Sequence, residues 1–189
     1  MKLKIPVEVS ARHIHLAKKD LDKLFGKNYE LKNLKSLSQP SDFAAEEVLT
    51  VQFGDRKIEK VRIVGPVREN TQVEISKTDA VFLGVNPPVR LSGDLSDSCG
   101  ITLVGSKGSV ELEKGLIIAL HHLHCTNAEA KAFGLKDRDA VAVTIKSERP
   151  VTFYDILVRI RDDYKLCMHL DTDEGNAAGI NKIGEGEIL

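Results

Sequence analysis

From its first residues the chain alternates apolar and polar side chains, as in "KIPVEVSARHIHL". Side chains on an extended segment point to opposite faces in turn. Val7, Val9, Ala11, His13 and His15 therefore share one face if residues 5–16 form a strand. Period-two or short apolar runs predict further strands at 47–53, 57–64, 71–75, 80–85, 109–112, 116–123, 140–145, 152–161 and 164–171. Turn-forming residues separate many of them: Gly54-Asp55, Gly65-Pro66, Pro87-Pro88, Gly105 to Gly108, and Arg149-Pro150. Only two segments predict helices, 18–25 and 127–133, the second with Thr126 or Asn127 as its N-cap. Many short strands at near-regular spacing predict a mainly β chain, built as barrels or a sandwich.

The two helices each follow a His-x-His element, in "SARHIHLAKKDL" and "ALHHLHCTNAEA". Five residues after the second histidine comes an acid (Asp20, Glu129), nine after it an apolar residue (Leu24, Phe133), and Phe-Gly closes both units. His13 and His122 are 109 positions apart (122 − 13). The strand, His-x-His and short helix read as an internal duplication. Duplicated barrels related by a pseudo-twofold would bring both His-x-His elements to one seam.

Composition narrows the class. At 189 residues, 42% hydrophobic and 29% charged, the chain is long and apolar enough to bury one ordinary core or two small ones. A formal charge of −1 gives no general footprint for nucleic acid or a membrane surface. No apolar run approaches the roughly 18 residues of a membrane span. Three cysteines (Cys99, Cys125, Cys167) at unrelated spacings argue against a disulfide framework and for a reduced, cytoplasmic protein.

All six histidines (His13, His15, His121, His122, His124, His169) lie in a cluster or near a strand end. Residues i and i+2 of a strand point the same way roughly 6–7 Å apart, which lets two imidazoles converge on one cation. One His-x-His is as well explained by polar residues closing a strand, but its recurrence in equivalent positions points to metal. His169 shares a strand face with Cys167 and Asp171, and Glu74 with Gln72 and Ser76. Cys125 points away from His124 and reads as a buried thiol; Cys167 is left outside the ligand set. Arg68, in a loop shortly before Glu74, is placed as an anion clamp, because a guanidinium pairs bidentately with phosphate or carboxylate. "LDTDEGNAAG" reads as an acidic loop. No Walker loop, Rossmann fingerprint, nucleophile elbow or paired CxxC is present, which disfavours common nucleotide hydrolases and dehydrogenases.

The stretches "VSARHIHL", "LSQPSDFAAEEVLTV", "VRIVGPVRENTQVEIS", "TDAVFLGVNPPVRLSGDLSDS", "HHLHCTNAEA" and "MHLDTDEGNAA" together resemble the phosphate propanoyltransferase family, the propanediol-utilisation type of phosphotransacylase. The resemblance implies two interleaved β-barrels with short capping helices and a dinuclear zinc site. One domain would be residues 1–11 plus 120–189, the other 12–119. It implies one zinc on His13, His15 and Glu74 and another on His122, His124 and His169, with His13 and His15 holding the zinc that meets the coenzyme A sulfur. It further implies phosphate on Arg68 and coenzyme A near Ser10, Lys35, Arg62, Val64 and Asn176. Three positions depart from the pattern: His121 stands where Arg is usual, Cys125 where Met is common, and Ser41 where a turn has Gly. The first opens a register in which His121 competes as a ligand. The expected activity is acyl-CoA + phosphate ⇌ acyl phosphate + CoA with a propanoyl or acetyl group; a dinuclear metal-dependent thioester or phosphoester hydrolase is the alternative. The expected setting is a homodimer free in the cytoplasm rather than in a protein-shelled compartment, since only "MKLKIPVE" precedes the first motif.

Overall fold

The computed structural model describes residues 3–189, which divide into two compact units: 3–11 with 120–189, and 12–119. Strand β1 (Leu3–Val9) belongs to the first of these. The second unit then runs β2 (His13–His15), α1 (Lys18–Phe25), β3 (Asn33–Ser36), β4 (Phe43–Phe53), β5 (Arg56–Gly65) and β6 (Gln72–Ile75). It continues through α2 (Lys77–Leu83), β7 (Val89–Arg90), β8 (Cys99–Val104) and β9 (Ser109–Ala119). The chain returns to the first unit with β10 (His122–Cys125), α3 (Asn127–Phe133), β11 (Ala140–Lys146), β12 (Val151–Ile160), β13 (Cys167–Leu170), α4 (Thr172–Ala177) and β14 (Ile183–Ile188).

Each unit closes a six-stranded barrel. In the first the ring runs β10-β13-β1-β14-β11-β12 and back to β10. In the second it runs β2-β6-β9-β8-β4-β5 and back to β2. The senses of pairing match step for step: antiparallel, parallel, three antiparallel, then parallel. The duplication read from the His-x-His elements is thus a duplication of whole barrels. One copy is permuted, because the strand corresponding to β9 is β1, supplied from the start of the chain. Closure leaves no free edge within a ring. Each barrel has its own core: Ile14, Ile63, Val73, Leu103 and Leu116 in one, and Val7, Leu123, Val143, Val158 and Met168 in the other. Full burial of such side chains is worth about 1.5–3 kcal/mol each.

Several sequence expectations change. Residues 5–16 are not one strand: β1 ends at Val9 and β2 begins at His13, each in a different barrel. Val7 consequently fills a core, whereas His13 stands on the outside of the other barrel. The run 80–85 is not extended: its residues 80–83 form the end of helix α2. Ser76 accepts a hydrogen bond from the Asp79 backbone and Asp79 caps back, which starts α2, and Gly84 ends it in the left-handed conformation (φ 77°). The acidic loop at 171 onward is α4, started by the same reciprocal cap between Asp171 and Glu174. Thr126 caps α3 in the same manner. Run 109–112 joins the start of run 116–123 in β9, which bends at Gly115 (φ 128°), where a Cβ would meet the Thr71 carbonyl oxygen at 2.7 Å; the longer run breaks after Ala119, and its last residues enter β10 of the other unit. Strands β3, β7, β8 and β14 lie outside the runs that the sequence pattern marks.

Candidate active site

The barrel of residues 12–119 presents its chemistry on the outer face of β2, β5 and β6. His13 pairs with Glu74 across β2 and β6, and with Arg62 across β2 and β5. His13, His15 and Glu74 each bring a ligand atom within 4.8 Å of the others. The separations are 3.6 Å from His13 Nε2 to Glu74 Oε2 and 3.9 Å from His15 Nε2 to Glu74 Oε1. These are too long for hydrogen bonds. They suit a shared cation, since two donors on a tetrahedral metal with bonds near 2.1 Å stand about 3.4 Å apart. His15 donates Nδ1–H to the Val64 carbonyl oxygen at 3.1 Å, which leaves Nε2 as the lone-pair nitrogen facing Glu74. Burial, with the charges of His13 and Arg68, pushes His15 down to about 3, so its imidazole is neutral at physiological pH. Neutral imidazole is the form that ligates metal.

A polar network braces this cluster. The Glu74 carboxylate accepts from Gln72 Nε2 (2.5 Å) and from Ser92 Oγ (2.7 Å). Gln72 also donates to Ser92 (3.0 Å), and its own carbonyl accepts from the Gly93 backbone (2.8 Å). Arg68 donates to the same Ser92 hydroxyl at 3.3 Å. The loop that carries Arg68 is fixed by its backbone N–H, which donates to the Leu16 carbonyl at 2.8 Å, one residue beyond β2. Ser92 and Gln72 are therefore the residues that sequence reasoning left without a role. Only the alternation in "TQVEIS" hinted at Gln72.

On the barrel of residues 3–11 and 120–189, His122 pairs with His169 across β10 and β13, just as His13 pairs with Glu74. The duplication thus makes Glu74 and His169 the same position in two copies, although 95 residues separate them (169 − 74) rather than 109. The rings of His122, His124 and His169 lie 4.5, 5.0 and 5.3 Å apart by centroid. His122 donates Nδ1–H to the Leu120 carbonyl at 2.9 Å, which again leaves Nε2 as the lone-pair nitrogen. Both ring nitrogens of His124 are buried without a hydrogen-bond partner. Such orphaned groups are costly unless a ligand satisfies one. Burial, together with His122, His169, Arg159 and Arg161, pushes His124 down to about 2. Tyr164 stacks on its ring at 4.0 Å.

His121 does not join this group. Its Nδ1 meets Glu174 Oε1 at 2.5 Å, which corresponds to the ion pair of Arg12 with Asp79 at 2.8 Å in the other barrel. In both copies the residue ahead of the His-x-His engages the acid in the first turn of the helix that follows the partner strand. Despite desolvation, the Glu174 carboxylate raises the His121 pKa. Cys125 is buried in the core, where desolvation raises its thiol pKa. Of the remaining positions, Arg62 donates to the carbonyls of Ala45 and Glu46 (2.9 and 2.8 Å). Lys35 on β3 is exposed, and it pairs with Ala44, which in turn pairs with Val64. Ser10 Oγ lies 3.5 Å from His169 Nδ1, and Asn176 is exposed on α4.

A family model described as "Phosphate propanoyltransferase" matches residues 6–181, nearly the whole chain. The chain belongs to the phosphate propanoyltransferase family. A phosphate propanoyltransferase of Thermotoga maritima is 50% identical over 178 residues, covering 94% of this chain and 85% of that protein. One from Priestia megaterium is 49% identical over 185 residues (98% and 85%), and one from Clostridioides difficile 44% identical over 185 (98% and 88%). The matched span includes both histidine clusters. No helix among the described residues is long and apolar enough to cross a membrane.

Proposed function

We propose that this chain transfers a short acyl group, propanoyl or acetyl, between coenzyme A and inorganic phosphate, with two zinc ions per chain. One zinc is assigned to His13, His15 and Glu74, the other to His122, His124 and His169. The observation that carries the reading is the link from Arg68 through Ser92 to Glu74. A guanidinium, a group suited to holding anions, thereby lies in one polar network with the carboxylate that stands beside two imidazoles.

The chain's own residues then have distinct tasks. Arg68 holds phosphate oxygens in its planar fork and orients another oxygen toward the thioester carbonyl carbon. Such positioning is worth orders of magnitude in effective concentration. The C–O bond forms as the C–S bond breaks, and coenzyme A leaves as its thiolate. Bound zinc would supply Lewis-acid stabilisation of the carbonyl oxygen and a soft partner for that thiolate. Coenzyme A contacts are assigned to Ser10, Lys35, Arg62, Val64 and Asn176. All three cysteines are free thiols, with Cys125 and Cys167 buried, in keeping with a reducing cytoplasm and with a mechanism that needs no acyl-cysteine. A homodimer completes the reading.

A dinuclear hydrolase acting on thioesters or phosphoesters would use similar donors. The two are separated by following thiol release from propanoyl-CoA and acetyl-CoA with and without phosphate. Release that requires phosphate and yields acyl phosphate supports the transferase; equal release without phosphate establishes the hydrolase instead.

A further inference from the structure

On the barrel that carries His169, a second set of donors shares that histidine with the imidazole cluster. Glu8 on β1 pairs in register with His169 on β13, and Cys167 sits two residues before His169 on the same strand face. Ligand atoms of Glu8, Cys167 and His169 all lie within 4.8 Å of one another. Cys167 is 5% exposed, and Glu8 Oε2 is buried without a hydrogen-bond partner. The matching positions in the other barrel are Ile117, which pairs with Glu74, and Gln72, two residues before Glu74. Neither supplies a thiol or carboxylate, so the duplicated scaffold does not demand these donors.

We propose that Glu8, Cys167 and His169 form a sulfur-containing site for a divalent transition cation, sharing His169 with the imidazole set. Thiolate, imidazole and carboxylate together are a donor set suited to zinc or cobalt. A cation there displaces the thiol proton to water, and it gives the orphaned carboxylate oxygen a partner. The shared His169 gives this half of the molecule two overlapping positions for one kind of ion.

The proposal rests on the reading that this barrel takes up a transition cation, and cobalt separates the two. Chelator-treated full-length chain is titrated with Co(II) and followed by absorption. Ligand-field bands report any low-symmetry site, whereas a near-ultraviolet thiolate-to-cobalt charge-transfer band requires bound sulfur. The expected result is a saturable charge-transfer band in the wild type, in Cys125→Ser and in the double variant His122→Ala/His124→Ala. It is lost in Cys167→Ala and weakened at least tenfold in apparent affinity in Glu8→Gln, a near-isosteric change that spares the thiol. Ligand-field bands without charge transfer in the wild type overturn this site and leave the imidazole reading standing. A charge-transfer band that survives Cys167→Ala, or that vanishes in the double variant, also overturns it. If no bands form at all, both readings fall.

Discussion

Glu74→Gln separates a metal ligand from a structural carboxylate. Glu74 is the only anionic donor of its cluster, facing His13 and His15 at 3.6 and 3.9 Å. In the metal-free chain the change is close to neutral. The charge-assisted bonds from Gln72 and Ser92 weaken by roughly 1 kcal/mol each. Relief from burying a carboxylate at 7% exposure offsets this by a similar amount. With zinc the balance differs, because the carboxylate is the donor that neutralises the cation. A 100-fold loss of affinity removes about 2.7 kcal/mol of ligand-conferred stability at fixed saturating zinc. For a chain of this size each kcal/mol moves Tm by about 2–4 °C, so the zinc-induced shift shrinks by roughly 5–11 °C. Scanning calorimetry of chelated and zinc-loaded chain, wild type beside Glu74→Gln, reads both quantities. An unchanged zinc-induced shift, or an apo Tm that collapses while the shift persists, refutes the assignment of Glu74 as a ligand.

Three further outcomes are expected. Arg68→Ala lowers kcat/KM for phosphate by about 10²–10³, the range for losing one group that stabilises developing charge, with metal content unchanged; wild-type rates would remove Arg68 from phosphate binding. Ser92→Ala, which cuts the tie between Arg68 and Glu74, weakens zinc affinity about 10-fold or more, as loss of a ligand's hydrogen-bond partner typically does; isothermal titration showing equal affinity contradicts that bracing role. The third concerns pH. His15 and His124 have folded pKa values depressed to about 3 and about 2, whereas histidine in the unfolded chain titrates near 6.5. Between these values the unfolded chain binds more protons, so apo stability rises with pH up to about 6.5 and is then level. Moving from pH 6.5 to 5 costs roughly 1.5 kcal/mol per histidine. Urea midpoints of chelated chain at the two pH values check this against His15→Gln and His124→Gln, each of which should flatten the dependence; parallel curves for all three would count against it.

The sequence by itself determined that this is a mainly β chain, that a strand–His-x-His–helix unit occurs twice, and that the family is that of the phosphate propanoyltransferases. Alternation is a local property, and a 109-residue offset shared by His13/His15 and His122/His124 survives in the linear order. Tertiary structure decided the rest, because strand pairing is non-local. The equivalence of Glu74 with His169 is invisible in sequence: the residue types differ, the offset is 95, and only the register opposite His13 and His122 reveals it. Residues 80–85 looked like a strand because their apolar content outweighed the Ser76–Asp79 cap, whose reciprocal bonds start the helix α2. "SARHIHL" read as one strand conceals a crossing between barrels, since either face of an alternating run can be the buried one until its partners are known. His121 shows the same limit: a histidine follows it in sequence, but its partner in space is Glu174. Sequence named the chemical groups, and the barrels' closure decided which of them meet.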